Sequence, residues 1–166
     1  MSKLFSYVVH HDYGYAPNPF GGYCTLVKCK YKHIIKNIVE LAEVGDWIVG
    51  TGGADLNLSC GHGKLLYAMR VDEKLTIMEY YSDARFIGRK DCTLDCGDSG
   101  KFALISQHYY YFGRNAVEIP EPFLSYSIEK RGPRHKSRFS TDFIEAFVMW
   151  LETNYTPGVH GAPCGV

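Results

Sequence analysis

A buried β-strand that ends in a glycine turn is predicted by residues 46–53, which read Asp-Trp-Ile-Val-Gly-Thr-Gly-Gly. Because glycine has no side chain, this strand end lets a second backbone segment or a ligand approach closely. Another apolar run, at residues 65–71, predicts a second strand directly after a glycine-bearing connection. Elsewhere the pattern predicts strands at residues 4–10, 23–30 and 102–112, and helices at residues 33–44, at residues 76–82 and after Asp142.

The order of these elements indicates the fold class. Strands and helices are mixed without the regular alternation that a parallel sheet requires, and the 166 residues contain no internal repeat. The sequence therefore predicts an α+β fold with a mostly antiparallel, barrel-like sheet and flanking helices. We expect a single domain over residues 1–156, followed by a flexible, Gly/Pro-rich C-terminal tail over residues 157–166.

Composition and the pattern of apolar residues indicate where in the cell we expect the protein. The 18 acidic and 18 basic residues balance, so any electrostatic attraction to a partner must be local. The first residues lack the charged and apolar regions of a signal peptide, and no apolar run approaches the length of a membrane span. These observations predict a cytoplasmic protein without a membrane partner, in which the six cysteines stay reduced. The sequence leaves the oligomeric state open.

Positive charge is concentrated in residues 130–138, here called the basic segment, which read Lys-Arg-Gly-Pro-Arg-His-Lys-Ser-Arg. Arginine matches phosphate oxygens with its forked donors, so this segment is a candidate phosphate site. A solvated basic loop that offsets acidic residues elsewhere explains the same pattern. Charge alone leaves both interpretations open.

Aromatic and polar side chains crowd residues 10–23, here called the aromatic loop. Its prolines and glycines exclude regular secondary structure and favour an ordered, turn-rich conformation. A small flat ligand needs aromatic faces for stacking and polar groups for hydrogen bonding, and this loop offers both. The alternative is a structural loop that covers one end of the sheet.

A further candidate is the tyrosine-rich strand within residues 106–114. Side chains alternate along a strand, so Tyr109 and Tyr111 share one face, while His108 and Tyr110 share the other. We expect one of these faces to pack inwards and the other to line a groove.

The sequence gives little indication of a metal or cofactor site. The cysteine spacings miss the tight Cys-x2-Cys pair of common zinc sites, although Cys60, His62, Cys92 and Cys96 are able to combine in three dimensions. Neither the dinucleotide-binding glycine motif nor the phosphate-loop motif is present. We therefore predict no cofactor and no metal, with the four-residue zinc site left open.

Several motifs resemble the nucleotide-modification-associated domain family, second type. The longest lies in residues 12–23 and reads Asp-Tyr-Gly-Tyr-Ala-Pro-Asn-Pro-Phe-Gly-Gly-Tyr. The others lie at residues 7–9, 24–26, 44–52, 66–71, 111–113, 119–120 and 131–135. The resemblance implies a role in bacteriophage or bacterial systems that make or handle modified DNA bases. Residues 91–96 match no motif of the family, and the family resemblance names no reaction.

A second likeness is to barrel domains of the PUA/EVE type, which bind modified bases. It rests on Asp46 and Trp47 in a strand that precedes a glycine-rich turn and a second strand. This likeness implies that the predicted sheet curves into a PUA-like barrel.

Taken together, these features predict a domain that recognises a nucleotide or a modified base in DNA. The candidate ligand-binding residues are Asn18, Phe20, Tyr23, Trp47, Thr51, Tyr109, Tyr111, Arg131, Arg134, His135 and Arg138. The alternative is an enzyme that acts on a nucleotide or modified base by acid/base catalysis, with His10, Asp12 and His108 as the catalytic residues. A protein-interaction module with a tyrosine-rich surface is a second alternative. Whether a reaction is catalysed stays open.

Overall fold

The computed structural model describes residues 2–27, 37–89 and 102–166. Within these ranges, ten strands form two sheets, accompanied by four α-helices. The strands are β1 (Leu4–Val9), β2 (Cys24–Leu26), β3 (Trp47–Gly52), β4 (Lys64–Arg70), β5 (Glu73–Thr76), β6 (Phe102–Ser106), β7 (Tyr109–Tyr111), β8 (Val117–Glu118), β9 (His135–Lys136) and β10 (Gly158–Val159). The helices are α1 (Ile38–Leu41), α2 (Leu56–Ser59), α3 (Ile77–Ser82) and α4 (Thr141–Asn154).

The larger sheet has the strand order β10-β7-β4-β3-β1-β9, and β8 also pairs with β4. The smaller sheet has the order β2-β6-β5. Only the β1/β3 and β7/β10 pairs are parallel among the described strands, which confirms a mostly antiparallel α+β fold. The barrel-like, PUA/EVE-like arrangement is not confirmed, because the larger sheet ends at β10 and β9 without closing.

The larger sheet lies between α4 and the smaller sheet. Ile144, Phe147 and Leu151 of α4 pack against one face. The opposite face packs against residues of the smaller sheet such as Leu26 and Leu104. The outer face of the smaller sheet is covered in turn by residues of α3 and its neighbours. Both faces of the larger sheet are therefore covered by other elements of the protein.

The helix boundaries test the local predictions. The predicted helix at residues 76–82 is confirmed, with Thr76 and Glu79 forming a capping box. The last helix starts two residues earlier than predicted, because Ser140 and not Asp142 is its N-cap, and the Ser140 hydroxyl accepts from the Phe143 amide. α1 covers only part of the helix predicted over residues 33–44, of which residues 33–36 lie outside the described ranges. In the described part of the chain, no helix is long and apolar enough to cross a membrane.

Candidate functional site

One end of the larger sheet gathers most of the candidate features. Because β1 and β3 run parallel, their carboxyl ends meet, and Val9 lies opposite Gly52. β4 runs antiparallel to β3, so its first residues reach the same end. A Cβ atom on Gly52 would collide with the carbonyl oxygens of Gly61 and Ser59. The predicted close approach of backbone to this glycine turn is confirmed, and the approaching segment leads into β4.

Asp12 anchors the aromatic loop from inside this end. Its side chain is buried, with 2% of the residue exposed. One carboxylate oxygen accepts from the Tyr111 hydroxyl at 2.5 Å and from the Gly14 amide at 3.3 Å, while the other accepts from the Cys164 amide at 3.0 Å. The Asp12 amide donates to the Leu58 carbonyl at 2.8 Å. A single carboxylate thereby holds the loop, β7 and the C-terminal tail together.

The stability of the protein is expected to fall as rising pH ionises Asp12. Burial raises the pKa of this carboxyl above its usual 3.8, while hydrogen bonds from Tyr111, Cys164 and Gly14 oppose that shift. The folded state therefore keeps the proton to a higher pH than the unfolded state. The corresponding stabilisation is fully present below the unfolded pKa and is lost as pH rises through the folded pKa.

Urea unfolding of the wild type and of Asp12→Asn, from about pH 4 to about pH 8, measures this effect. The wild type should lose free energy of unfolding relative to the variant as pH rises, since asparagine has no charge to bury. A difference that stays constant across the range would contradict the assignment.

Two tyrosine hydroxyls lie close together on the same inner face of the sheet. The hydroxyl oxygens of Tyr7 and Tyr67 are 2.6 Å apart, and the Tyr67 ring fills the space left by Gly50. Burial and the nearby Asp12 raise the pKa of Tyr111, so its hydroxyl stays protonated and donates. This face of the sheet therefore carries several buried tyrosine hydroxyl groups near Asp12.

The C-terminal tail over residues 157–166, predicted to be flexible, makes several long-range contacts. β10 pairs with β7, and a disulfide joins Cys60 to Cys164. The Gly165 amide also donates to the Asp12 carbonyl at 2.8 Å. These contacts connect the tail to β7, to Cys60 and to the aromatic loop. The expectation of six reduced cysteines is wrong for Cys60 and Cys164.

The disulfide also bears on the zinc site that the sequence left open. Cys60 is engaged with Cys164, and Cys92 and Cys96 lie outside the described residues. Among the residues that the structure describes, no group of three or more His, Cys, Asp or Glu side chains is arranged to hold a metal ion.

Arg89 holds the far part of the aromatic loop. One terminal nitrogen donates to the Phe20 carbonyl at 2.5 Å. The other donates to the Asn18 carbonyl at 2.8 Å, the Tyr23 carbonyl at 3.3 Å and the Thr25 hydroxyl at 3.1 Å. The forked, fixed geometry of a guanidinium suits several acceptors at once. This residue sets the shape of the loop between Asn18 and Tyr23.

The basic segment forms the outer edge of the larger sheet. β9 pairs with β1, which places His135 opposite Tyr7 and Lys136 opposite Ser6. Beside this pair lies a cleft of about 470 Å³, here called the basic cleft. Its lining residues are His62, Gly63, Leu124, Ser127, Glu129, Lys130, Arg131 and Lys136. His62 and Gly63 come directly before β4, so the cleft opens near the end of the sheet that carries the aromatic loop.

Glu129 organises the floor of the basic cleft. Its side chain is almost fully buried, yet both carboxylate oxygens are bonded. One accepts from Arg131 Nε at 2.6 Å and the other from the Gly63 amide at 2.5 Å. Arg131 has a backbone φ of 46°, in the left-handed region that non-glycine residues seldom occupy. The chain is thus held in an uncommon conformation at the point where its cations line the cleft.

The cations of the segment differ in their surroundings. Arg134 and Arg138 are exposed. Lys130 and Lys136 donate to the carbonyls of Arg131 and Ser127, at 3.2 and 2.8 Å. His135 is half-buried, and burial lowers its pKa below the usual 6.5, so its ring is neutral near pH 7.

Several predicted ligand residues turn out to be buried structural groups. Tyr109 and Tyr111 are both buried, and the Tyr109 hydroxyl donates to the Pro19 carbonyl at 2.8 Å. Asn18 is also buried, and its side-chain oxygen accepts from the Phe20 amide at 3.2 Å. Thr51 is buried and donates to the Tyr7 carbonyl at 3.3 Å. The predicted alternation of the tyrosine strand is confirmed, but both of its faces are covered.

Phe20 and Tyr23 remain accessible in part. Phe20 is 46% exposed at the tip of the loop. Tyr23 is half-buried, with its ring edge-on to Phe86 and beneath the guanidinium of Arg85. These two residues, His135 and the cations of the basic segment are the predicted contacts that solvent can reach.

The three acid/base candidates do not form one site. His108 lies at the start of β7, edge-on to Trp47 at the start of β3, and its ring contacts Glu152 of α4 at 3.1 Å. His10 follows the carboxyl end of β1, at the opposite end of the sheet. Asp12 bonds to Tyr111 on the face turned away from α4. His108 and Trp47 are therefore separated from the other candidates by the length of the strands.

The sequence patterns missed Arg89, Glu129 and the pairing of Cys60 with Cys164. Arg89 and Glu129 act through backbone carbonyls and amides, which leave no motif in a sequence. The two cysteines are 104 residues apart, so their spacing gives no signal. The position of Glu129 directly before the basic segment was the single available hint.

Family comparison agrees with the motifs. The model of the family described as nucleotide modification associated domain 2 matches residues 1–98 and 91–166, which together cover the chain. No curated protein and no solved structure shows a significant match. Since the family model spans both the aromatic loop and the basic segment, the chain belongs to the nucleotide modification associated domain 2 family.

Proposed function

We propose that this domain recognises a nucleotide or a modified base in the service of DNA base modification in a bacteriophage or bacterium. The observation that carries the proposal is the basic cleft, where Lys130, Arg131 and Lys136 converge beside His62 and Gly63. Family membership supports a nucleotide-related role. A cleft of this size is within the range of small-molecule sites.

In this proposal the cations of the basic segment bind the phosphate of the nucleotide. Each lysine has three N–H donors, of which a backbone carbonyl takes one, so donors remain for phosphate oxygens. Arg134 and Arg138 add exposed charge in the same segment. Neutral His135 contributes hydrogen bonding instead of charge. Glu129 accepts from Arg131 Nε and from the Gly63 amide, and so orients the Arg131 guanidinium in the cleft.

The aromatic loop is proposed to bind the base of the same nucleotide. Phe20 and Tyr23 offer ring faces at the same end of the sheet, and Arg89 fixes the backbone between them. Asn18, Tyr109 and Tyr111 support this loop from beneath it. In this proposal the tyrosine strand shapes the base-reading surface without touching the ligand.

Replacing Lys130 and Lys136 together by Ala is expected to weaken nucleotide binding about tenfold, since each removes a charge-assisted contact. Calorimetric titration with a panel of nucleoside monophosphates and short modified DNA measures the loss. Binding by the wild type should weaken as salt rises, and the double variant should depend less on salt.

Arg70→Ala is the matched control, because Arg70 is an exposed cation at the opposite end of β4. It should bind as the wild type does. Absence of heat with every ligand would overturn the proposed function, whereas an unchanged salt dependence in the double variant would refute the phosphate contacts.

A further inference from the structure

Three aromatic residues of the loop form an exposed ladder. His11, Tyr13 and Tyr15 point outward, while Asp12 and Gly14 between them are buried. The His11 and Tyr13 rings are nearly parallel, 15° apart with centroids separated by 6.1 Å. The Tyr13 and Tyr15 rings follow with centroids 6.5 Å apart and planes tilted by 41°. The two tyrosines are 42% and 47% exposed. Large aromatic side chains are thus partly exposed to solvent in a row.

The ladder is held rigidly from below. Asp12 is fixed by Tyr111 and by the tail, as described above. A Cβ on Gly14 would lie 2.8 Å from Pro163 Cγ, and one on Gly165 would lie 2.8 Å from the Tyr13 ring. The tail therefore packs directly against the loop, with the disulfide at Cys164 beside these contacts. A preformed platform of this kind loses little conformational entropy when a ligand stacks on it.

Arg114 is a cation that contacts the same tail as the ladder. Exposed Arg114 donates through a terminal nitrogen to the Val166 carbonyl, one residue from the glycine that contacts Tyr13. The Arg114 amide is bonded to the Ala162 carbonyl at 2.8 Å, which fixes its position against the tail. Exposed rings in a row beside a cation are the combination with which proteins hold single strands: bases stack and phosphates meet the charge.

We propose that His11, Tyr13 and Tyr15 bind consecutive bases of single-stranded DNA, with Arg114 contacting its backbone. This inference rests on the proposed function and specifies its ligand as a strand instead of a free nucleotide. Rings exposed in a row suit successive bases, whereas a single nucleotide is usually enclosed by its pocket. Bases inside a duplex are stacked on each other and cannot reach the rings.

The test is fluorescence anisotropy with a labelled oligothymidylate strand of about twelve nucleotides, compared with thymidine monophosphate and with a duplex of the same length. The strand should bind at least about tenfold more tightly than either. Tyr13→Ala should weaken strand binding on the order of tenfold to a hundredfold, whereas Tyr13→Phe should retain it, since a phenyl ring still stacks. Arg114→Ala should reduce the salt dependence.

Three results would each overturn the proposed stacking of bases on the ladder. They are equal binding of strand and mononucleotide, equal binding of strand and duplex, and an unchanged affinity in Tyr13→Ala. Tighter binding of an oligouridylate than of oligothymidylate would overturn the assignment to DNA. If the strand does not bind while monophosphates bind in a Lys130-dependent manner, the proposed role of the ladder is refuted and the proposed function stands. If neither binds, the proposed function falls as well.

Discussion

Reduction of the disulfide between Cys60 and Cys164 is expected to lower the free energy of unfolding by about 4 kcal/mol. The two cysteines are 104 residues apart, and the chain-entropy account assigns about 4–5 kcal/mol to a loop of that length. The cross-link also secures the tail that bonds to Asp12, so the aromatic loop should loosen together with it.

Urea and thermal unfolding of the oxidised and the reduced protein measure this effect. The melting temperature should fall by roughly 10 °C on reduction. Cys164→Ser is the matched control, since it should unfold like the reduced wild type and respond no further to a reductant. If the reduced wild type keeps the midpoint of the oxidised protein, the disulfide does not stabilise the fold.

Arg89→Met is expected to cost about 3 kcal/mol and to release the aromatic loop. The change keeps much of the side-chain volume but removes the guanidinium bonds to the carbonyls of Asn18, Phe20 and Tyr23. Hydrogen bonds to a charged group contribute about 1.5–3 kcal/mol each, and part of this sum is recovered by water at the exposed carbonyls. Limited proteolysis should cut the loop faster in the variant, and nucleotide binding should weaken with it.

Two further variants isolate the geometry of the guanidinium. Arg89→Lys keeps the charge but lacks the fork, so its loss should lie between that of the wild type and that of Arg89→Met. Arg70→Met removes an exposed arginine paired with Asp72, and should cost less than about 1 kcal/mol. Wild-type stability together with wild-type proteolysis in Arg89→Met would refute the role assigned to Arg89.

The strands were predictable because their signal is local. The apolar run of β3, its glycine turn and the alternation in β7 all follow from side chains a few residues apart. The openness of the sheet was not predictable in the same way. Closure depends on whether β9 and β10 meet, and both are two-residue strands with no apolar pattern of their own. Long-range pairing decided that part of the fold.

The candidate site was predictable as two segments, but not as an arrangement. The aromatic loop and the basic segment stood out by composition, and the sheet directs them to neighbouring regions. The exposure of individual tyrosine side chains could not be predicted from the sequence. Tyr109 and Tyr111 have the same residue type as Tyr13 and Tyr15, yet the first pair is buried and the second is not. The difference arises because β7 lies inside the sheet, while the loop projects from its end.

The edge position of the basic segment also affects the behaviour of the protein in concentrated solution. β9 is two residues long, contains Lys136, and is followed two residues later by Arg138 and preceded by Pro133. Short, charged edges interrupted by proline resist the addition of a strand from another molecule. With a net charge of zero, the protein has little long-range repulsion to keep copies apart. The charges proposed to hold phosphate therefore also protect the border of the sheet against aggregation.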